Sequence, residues 1–199
     1  IEKLAARNKR LAGPLRILWA ARWEHDKNPK DFFEALKFVK ESGWVFRLSV
    51  IGEQFKDAPD VFTWAREFFA DYIDRWGYQE RRSEYESALG EADIIVSTAN
   101  HEFFGISVVE AIAAGAYPVL PKRLSYPEIL SGIEIGAEDE FFYDGSARGL
   151  AEKIVSLAKL TQHDGLWGAD KMRGVRGVER FTWKKLVPVL DKALEQSHM

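Results

Sequence analysis

The chain has 199 residues, 46% of them apolar, with a formal net charge of −3 and no Cys. That composition fills a core and excludes a disordered chain; the charge does not mark a nucleic-acid surface, and the lack of Cys excludes disulfide and thiol chemistry. No apolar run is long enough to span a bilayer and no signal-peptide pattern opens the sequence, so a cytoplasmic location with no membrane segment is expected.

Ile1–Gly13 is basic and helix-like, and the chain opens without an initiator Met. This stretch reads as a linker, or as a helix from an N-terminal domain missing from the sequence, with residues 14–199 forming the domain itself. Arg16–Ala21 (RILWAA) reads as a short buried strand. Asn28 stands where it can cap a helix, with Pro29 at the first helical position and Asp31 in the first turn. Phe32, Ala35, Leu36 and Val39 recur at helical spacing, and Gly43 ends the helix. Val45–Gly52 reads as the second strand, Asp60–Phe69 as a helix, Tyr72–Tyr78 as a weaker third strand, and RRSEYESALGEA as a short helix. Asp93–Thr98 is a buried strand, a helix follows over roughly Gly105–Ala114 until Gly115 stops it, and Tyr117–Pro121 is a further strand. A Tyr-Pro-Glu turn, a short strand near Phe141–Tyr143 and two helices complete the pattern. The last helix contains Pro188, which is expected to kink it and to keep it from packing simply on this domain.

Strands alternating with helices predict an α/β fold, a doubly wound and mostly parallel Rossmann-like sheet of about six strands. Ligands of such sheets sit beyond the carboxyl ends of the strands, where the strand order reverses. The candidate residues fall there. Glu102 and Glu110 bracket the helix start at Gly105. Exposed amides at a helix start favour phosphate, whereas carboxylates accept from sugar hydroxyls. The pair suits a ligand carrying both; a loop charge and a solvated helix residue have the same spacing. Arg22, just after the first strand, and Lys27, just before the next helix, suit a diphosphate, or equally the surface pairs Arg22–Glu24 and Lys27–Asp31. Gly52 ends LSVIGE and allows close backbone approach. Trp76 either lines a base pocket or joins the core aromatics. There is no GxGxxG fingerprint, no Asp-x-Asp pair and no metal-ligand spacing among the four His, so no metal is expected. The run Glu138-Asp139-Glu140 reads as a solvated loop.

In their order along the chain, these features resemble the donor-binding, C-terminal half of the family-4 retaining glycosyltransferases, which have the two-Rossmann GT-B fold. The resemblance is carried by Arg22 and Lys27, LSVIGE, Glu102-Phe103-Phe104-Gly105 through Glu110, EAIAAGAYPVLP, Pro127-Glu128 and Phe181-Thr182-Trp183. It spans nearly all of the chain from Arg16 onward. RWEHDKNP, WGY, HEFFG and YPEI are further similar to the tRNA-queuosine mannosyltransferase group.

The resemblance implies transfer of a hexose from a nucleotide sugar, mannose from GDP-mannose, to queuosine in tRNA, without a cofactor. It implies that Arg22 and Lys27 hold the donor diphosphate and that Glu102 contacts sugar hydroxyls. Donor-binding roles fall to Glu110 at the ribose, to the backbone around Phe104, Gly105, Ile106 and Ser107, to Gly52, and to Trp76, Gly77 and Tyr78 beside the base. The domain alone is expected to be inactive in transfer, because a GT-B site is completed by two domains. Two departures stand out: Phe103 replaces the family's usual Gly, and KRLSYPEI replaces a Gly-rich segment, where either Lys122 takes over a phosphate contact or the pocket edge differs. Alternatives are the same chemistry on a lipid or oligosaccharide acceptor, a non-catalytic nucleotide-sugar-binding module and, more distantly, a GT-B epimerase.

Overall fold

The structure is a computed structural model that describes residues 12–134, 139–161 and 165–197. The stretch Ile1–Gly13 lies almost wholly outside them. Six strands form one sheet: β1 (Leu15–Ala20), β2 (Phe46–Ile51), β3 (Ile73–Gly77), β4 (Ile94–Val96), β5 (Tyr117–Pro121) and β6 (Phe142–Tyr143). Their order is β3-β2-β1-β4-β5-β6, with every neighbouring pair parallel. This is the doubly wound α/β topology expected, and the order reverses between β1 and β4.

The strands read as near-continuous apolar runs because helices cover both faces. β4 and β5 are buried along their whole length. Helix α1 (Pro29–Glu41) buries Phe32, Phe33, Leu36 and Val39, and Gly43 beyond it has φ +79°. Trp19 of β1 stacks on Phe32 at 5.9 Å, and Phe33 faces Phe62 of α2 (Val61–Phe68) at 5.5 Å. The carboxyl ends of β1, β2 and β3 are drawn together. Ala21 N–H donates to the Ile51 carbonyl (3.1 Å) and Gly52 N–H to the Gly77 carbonyl (3.2 Å). A Cβ on Gly52 would lie 1.8 Å from the Ala21 carbonyl oxygen, so this close approach requires glycine.

Several local expectations are corrected. Asn28 holds the N-cap position, but in the left-handed region (φ 51°); its amide donates to Asp31 Oδ2 (2.6 Å) and caps no backbone group. The Tyr-Pro-Glu turn is the first turn of a short helix, α5 (Tyr126–Leu130), where a proline near the start needs no N–H partner. Among the described residues after β6 there are three α-helices rather than two: α6 (Ala147–Leu160), α7 (Arg173–Val178) and α8 (Trp183–Ser197). Glu140 is no solvated loop residue. It pairs with Arg173 of α7 in a largely buried bridge and accepts from the Tyr117 hydroxyl (3.1 Å). Asp139 pairs with Lys122 (2.6 Å), and Glu138 lies outside the described residues. Helix α8, with Pro188 inside it, leaves Trp183, Val187, Val189, Leu190 and Leu194 exposed. Among the described residues no helix is long and apolar enough to cross a membrane.

Candidate functional site

A cleft of about 720 Å³ opens over the carboxyl ends of β1 and β2, beside the start of α4 (Ile106–Ala113). Arg22, Lys27, Gly52, Tyr78, Glu102, Phe104, Gly105, Ile106, Ser107 and Glu110 all line it. Trp76 and Gly77 do not. They line a smaller adjoining pocket with Gln54 and Arg66. Trp76 meets Trp23 edge-on at 5.3 Å and stacks on Phe33 at 6.0 Å, so its ring belongs to the aromatic core. Lys122 is also absent from the cleft, held at another pocket by its pair with Asp139.

Lys27 closes a 3₁₀ turn, His25–Lys27, between β1 and α1, and is only 5% exposed. Its ammonium donates to the His101 carbonyl (2.6 Å) and Glu102 Oε2 (3.3 Å) and pairs with Asp26 Oδ2 (3.3 Å). The surface pair with Asp31 weighed from the sequence is thus not formed. The backbone is pinned as well. Thr98 Oγ1 donates to the Lys27 carbonyl (2.9 Å) and accepts from Trp19 Nε1 (3.3 Å), while Asn100 N–H donates to the Asp26 carbonyl (2.8 Å). The loop after β1 and the loop after β4 are therefore one hydrogen-bonded unit at the switch point. Arg22 is half-exposed and pairs with Glu24 (3.1 Å). An exposed pair is worth about 0–1 kcal/mol, so a diphosphate in the cleft can draw the guanidinium away.

Helix α4 starts at the cleft floor. Gly105 is its N-cap with φ 90°, and a Cβ there would press on Ile129 (3.3 Å) and Tyr126 (3.4 Å). Ser107 Oγ donates to the Ala20 carbonyl (2.7 Å) and fixes the first turn to the end of β1. The first amides, of Ile106 and Ser107, have no intrahelical acceptor and are placed for an anion. One turn further, Glu110 is only 8% exposed. It accepts from Arg82 Nη2 (2.9 Å) and the Tyr85 hydroxyl (2.6 Å), both on α3 (Arg82–Glu91). Burial and the bond to Glu110 push the Tyr85 phenol upward in pKa, and Glu110 and Glu86 do the same for the Arg82 guanidinium, so both remain donors. A carboxylate has about four acceptor sites, which leaves Glu110 capacity for a ligand hydroxyl. Arg82 and Tyr85 were not singled out in the sequence. Their three-residue spacing on a helix, which puts them on one face, is the signal that marks them as a pair.

Phe103 projects at the cleft mouth, 85% exposed, with its ring edge-on to His101 at 4.8 Å. Phe104, also at the cleft, meets Phe181 edge-on at 5.2 Å, and its carbonyl accepts from Ser125 Oγ (2.8 Å).

Residues 1–165 match the family described as Glycosyl transferases group 1. The chain belongs to that family. A curated glycosyltransferase relative, the tRNA-queuosine alpha-mannosyltransferase of Drosophila melanogaster, is 39% identical over 115 residues. That match takes in 58% of this chain and 30% of the relative, so it spans less than a third of that protein's length. Among solved structures, the C-terminal domain of a glycosyl transferase group 1 protein from Francisella tularensis superposes with a TM-score of 0.69. It is 20% identical and covers 89% of this chain and 94% of its own. The pneumococcal O-GlcNAc transferase in complex with UDP and GlcNAc gives a TM-score of 0.69 at 19% identity, over 97% of this chain and 37% of that one. At these identities the structures establish the fold. The group 1 glycosyltransferase domain is a Rossmann-like half of a GT-B architecture, as the sequence resemblance implied.

Proposed function

We propose that this chain is the donor-binding domain of a cytoplasmic retaining glycosyltransferase that moves mannose from GDP-mannose to queuosine in tRNA. An acceptor domain outside this sequence completes the enzyme. The observation that carries the reading is the convergence, in one cleft, of Arg22, Lys27, the start of α4, Glu102 and Glu110. A nucleotide sugar needs each of them. The tRNA-queuosine relative supports the choice of sugar and acceptor.

In this reading Arg22, Lys27 and the first amides of α4 hold the diphosphate. Glu102, already oriented by Lys27 (3.3 Å), accepts from sugar hydroxyls, and Glu110, oriented by α3, accepts from the ribose. During transfer the bond from the sugar anomeric carbon to the phosphate oxygen breaks, and the acceptor oxygen bonds to the same carbon on the same face. The acceptor proton passes to the departing phosphate. Charge then builds on the diphosphate, where fixed cations and helix amides stabilise it without reorganising.

The test is transfer by the full-length protein from labelled GDP-mannose to queuosine-containing tRNA, with lipid and oligosaccharide acceptors in parallel. Label in the tRNA alone is expected. Label in the lipid or oligosaccharide alone transfers the reading to that acceptor, and the 199-residue chain by itself is expected to bind donor without turnover.

A further inference from the structure

Glu80 is a carboxylate in the cleft that the donor arrangement above does not use. It lies on the loop between β3 and α3 and is exposed, and its carboxylate has no ion pair or hydrogen bond among the described residues. Its neighbours fix where in the cleft it stands. Two residues before it, Tyr78 is 64% exposed and lines the same cleft and the pocket that adjoins it; two residues after it, Arg82 is bonded to Glu110. The sheet order puts the end of β3 two strands from the end of β1, where Arg22 sits. At about 4.8 Å between strands, that is on the order of 10 Å, the separation of a diphosphate from its base. Glu53, another carboxylate of the cleft, stands nearer the phosphate end, since its carbonyl accepts from Trp23 N–H (2.9 Å), next to Arg22.

We propose that Glu80 selects guanine as the base of the donor, with Tyr78 as the surface on which the base lies. Guanine presents its N1–H and one N2–H side by side, two donors that match the two oxygens of a carboxylate. Uracil offers a single N3–H between two carbonyl oxygens, which a carboxylate repels. Adenine places an acceptor, N1, beside its amino group. An aromatic face binds any base, so the discrimination falls to the carboxylate. The inference rests on the nucleotide-sugar reading of the cleft and deepens it.

Calorimetric titration of the 199-residue chain with GDP, IDP and UDP tests it, in the wild type and in Glu80→Ala and Glu80→Gln. Inosine diphosphate keeps N1–H and lacks the 2-amino group. Glu80 is exposed and has no ion pair or hydrogen bond among the described residues, so both variants are expected to fold, and the ratio of GDP to IDP affinity on one folded sample is its own control. The wild type is expected to bind GDP about tenfold or more tighter than IDP, the scale of one hydrogen bond to a charged group. Both variants are expected to bring the ratio near one. A wild type that favours GDP over UDP, with a GDP to IDP ratio unchanged in the variants, overturns the role of Glu80 alone. A wild type that favours UDP, or binds no nucleoside diphosphate, overturns the guanosine donor and Glu80 with it.

Discussion

At the scale of single residues, Arg22 and Lys27 differ in how firmly they are held. Arg22 makes one half-exposed pair, whereas Lys27 is buried under three oxygen partners. In the full-length protein, Arg22→Ala and Lys27→Ala are each expected to lower kcat by about 10²–10³, as loss of one electrostatic stabiliser does elsewhere. Steady-state kinetics giving wild-type turnover would remove them from the mechanism. Thermal melts should separate the two: Lys27→Ala leaves Glu102 and Asp26 without their cation and lowers Tm, while Arg22→Ala leaves it nearly unchanged. Glu110→Ala is expected to weaken GDP binding, and Tyr85→Phe to weaken it less, by the scale of one neutral hydrogen bond, about 0.5–1.5 kcal/mol. Unchanged GDP affinity on calorimetry in Glu110→Ala counts against the ribose role. Arg22, Lys27, Glu102 and Glu110 were legible in the sequence because the ends of strands and the start of a helix place them together. The partners of Lys27 were not, because Glu102 and the His101 carbonyl come from a loop 74–75 residues away that only the β1–β4 pairing brings close.

At the scale of elements, the cleft depends on how α4 and the ends of the strands are seated. Gly105→Ala puts an L side chain at φ +90° with its Cβ 3.3 Å from Ile129. The backbone strain is about 1–2 kcal/mol. The expected result is a folded variant with lower Tm and weaker nucleotide binding; a crystal structure with an unmoved α4 start and wild-type affinity would contradict it. Gly52→Ala is expected to be worse. The new Cβ meets backbone, the Ala21 carbonyl, at 1.8 Å, and relief requires parting β1 from β2. That variant should be insoluble or lack cooperative unfolding in circular dichroism. The strands were legible to within a few residues because burial on both faces writes them as apolar runs. α5 was hidden because Tyr-Pro-Glu reads as a turn, and the burial of Glu140 because its partner Arg173 sits on α7.

At the scale of the whole molecule, two features set this chain apart from a closed unit. The cleft gathers Arg22, Lys27, Glu102 and Glu110, and α8 exposes the apolar residues Trp183, Val189, Leu190 and Leu194. Truncation after Thr182 is expected to leave Tm within a few degrees and to reduce binding of a hydrophobic dye; a large fall in Tm would show that the helix packs on the domain in solution. Pro188 made this helix suspect in the sequence, and residues 183–196 are exposed throughout.

Whether the cleft takes a guanosine nucleotide sugar is decided by calorimetric titration of the 199-residue chain with GDP, UDP, ADP and their mannose and glucose derivatives. GDP and GDP-mannose are expected to bind tightest; a preference for UDP or ADP and their sugars rules out a guanosine donor.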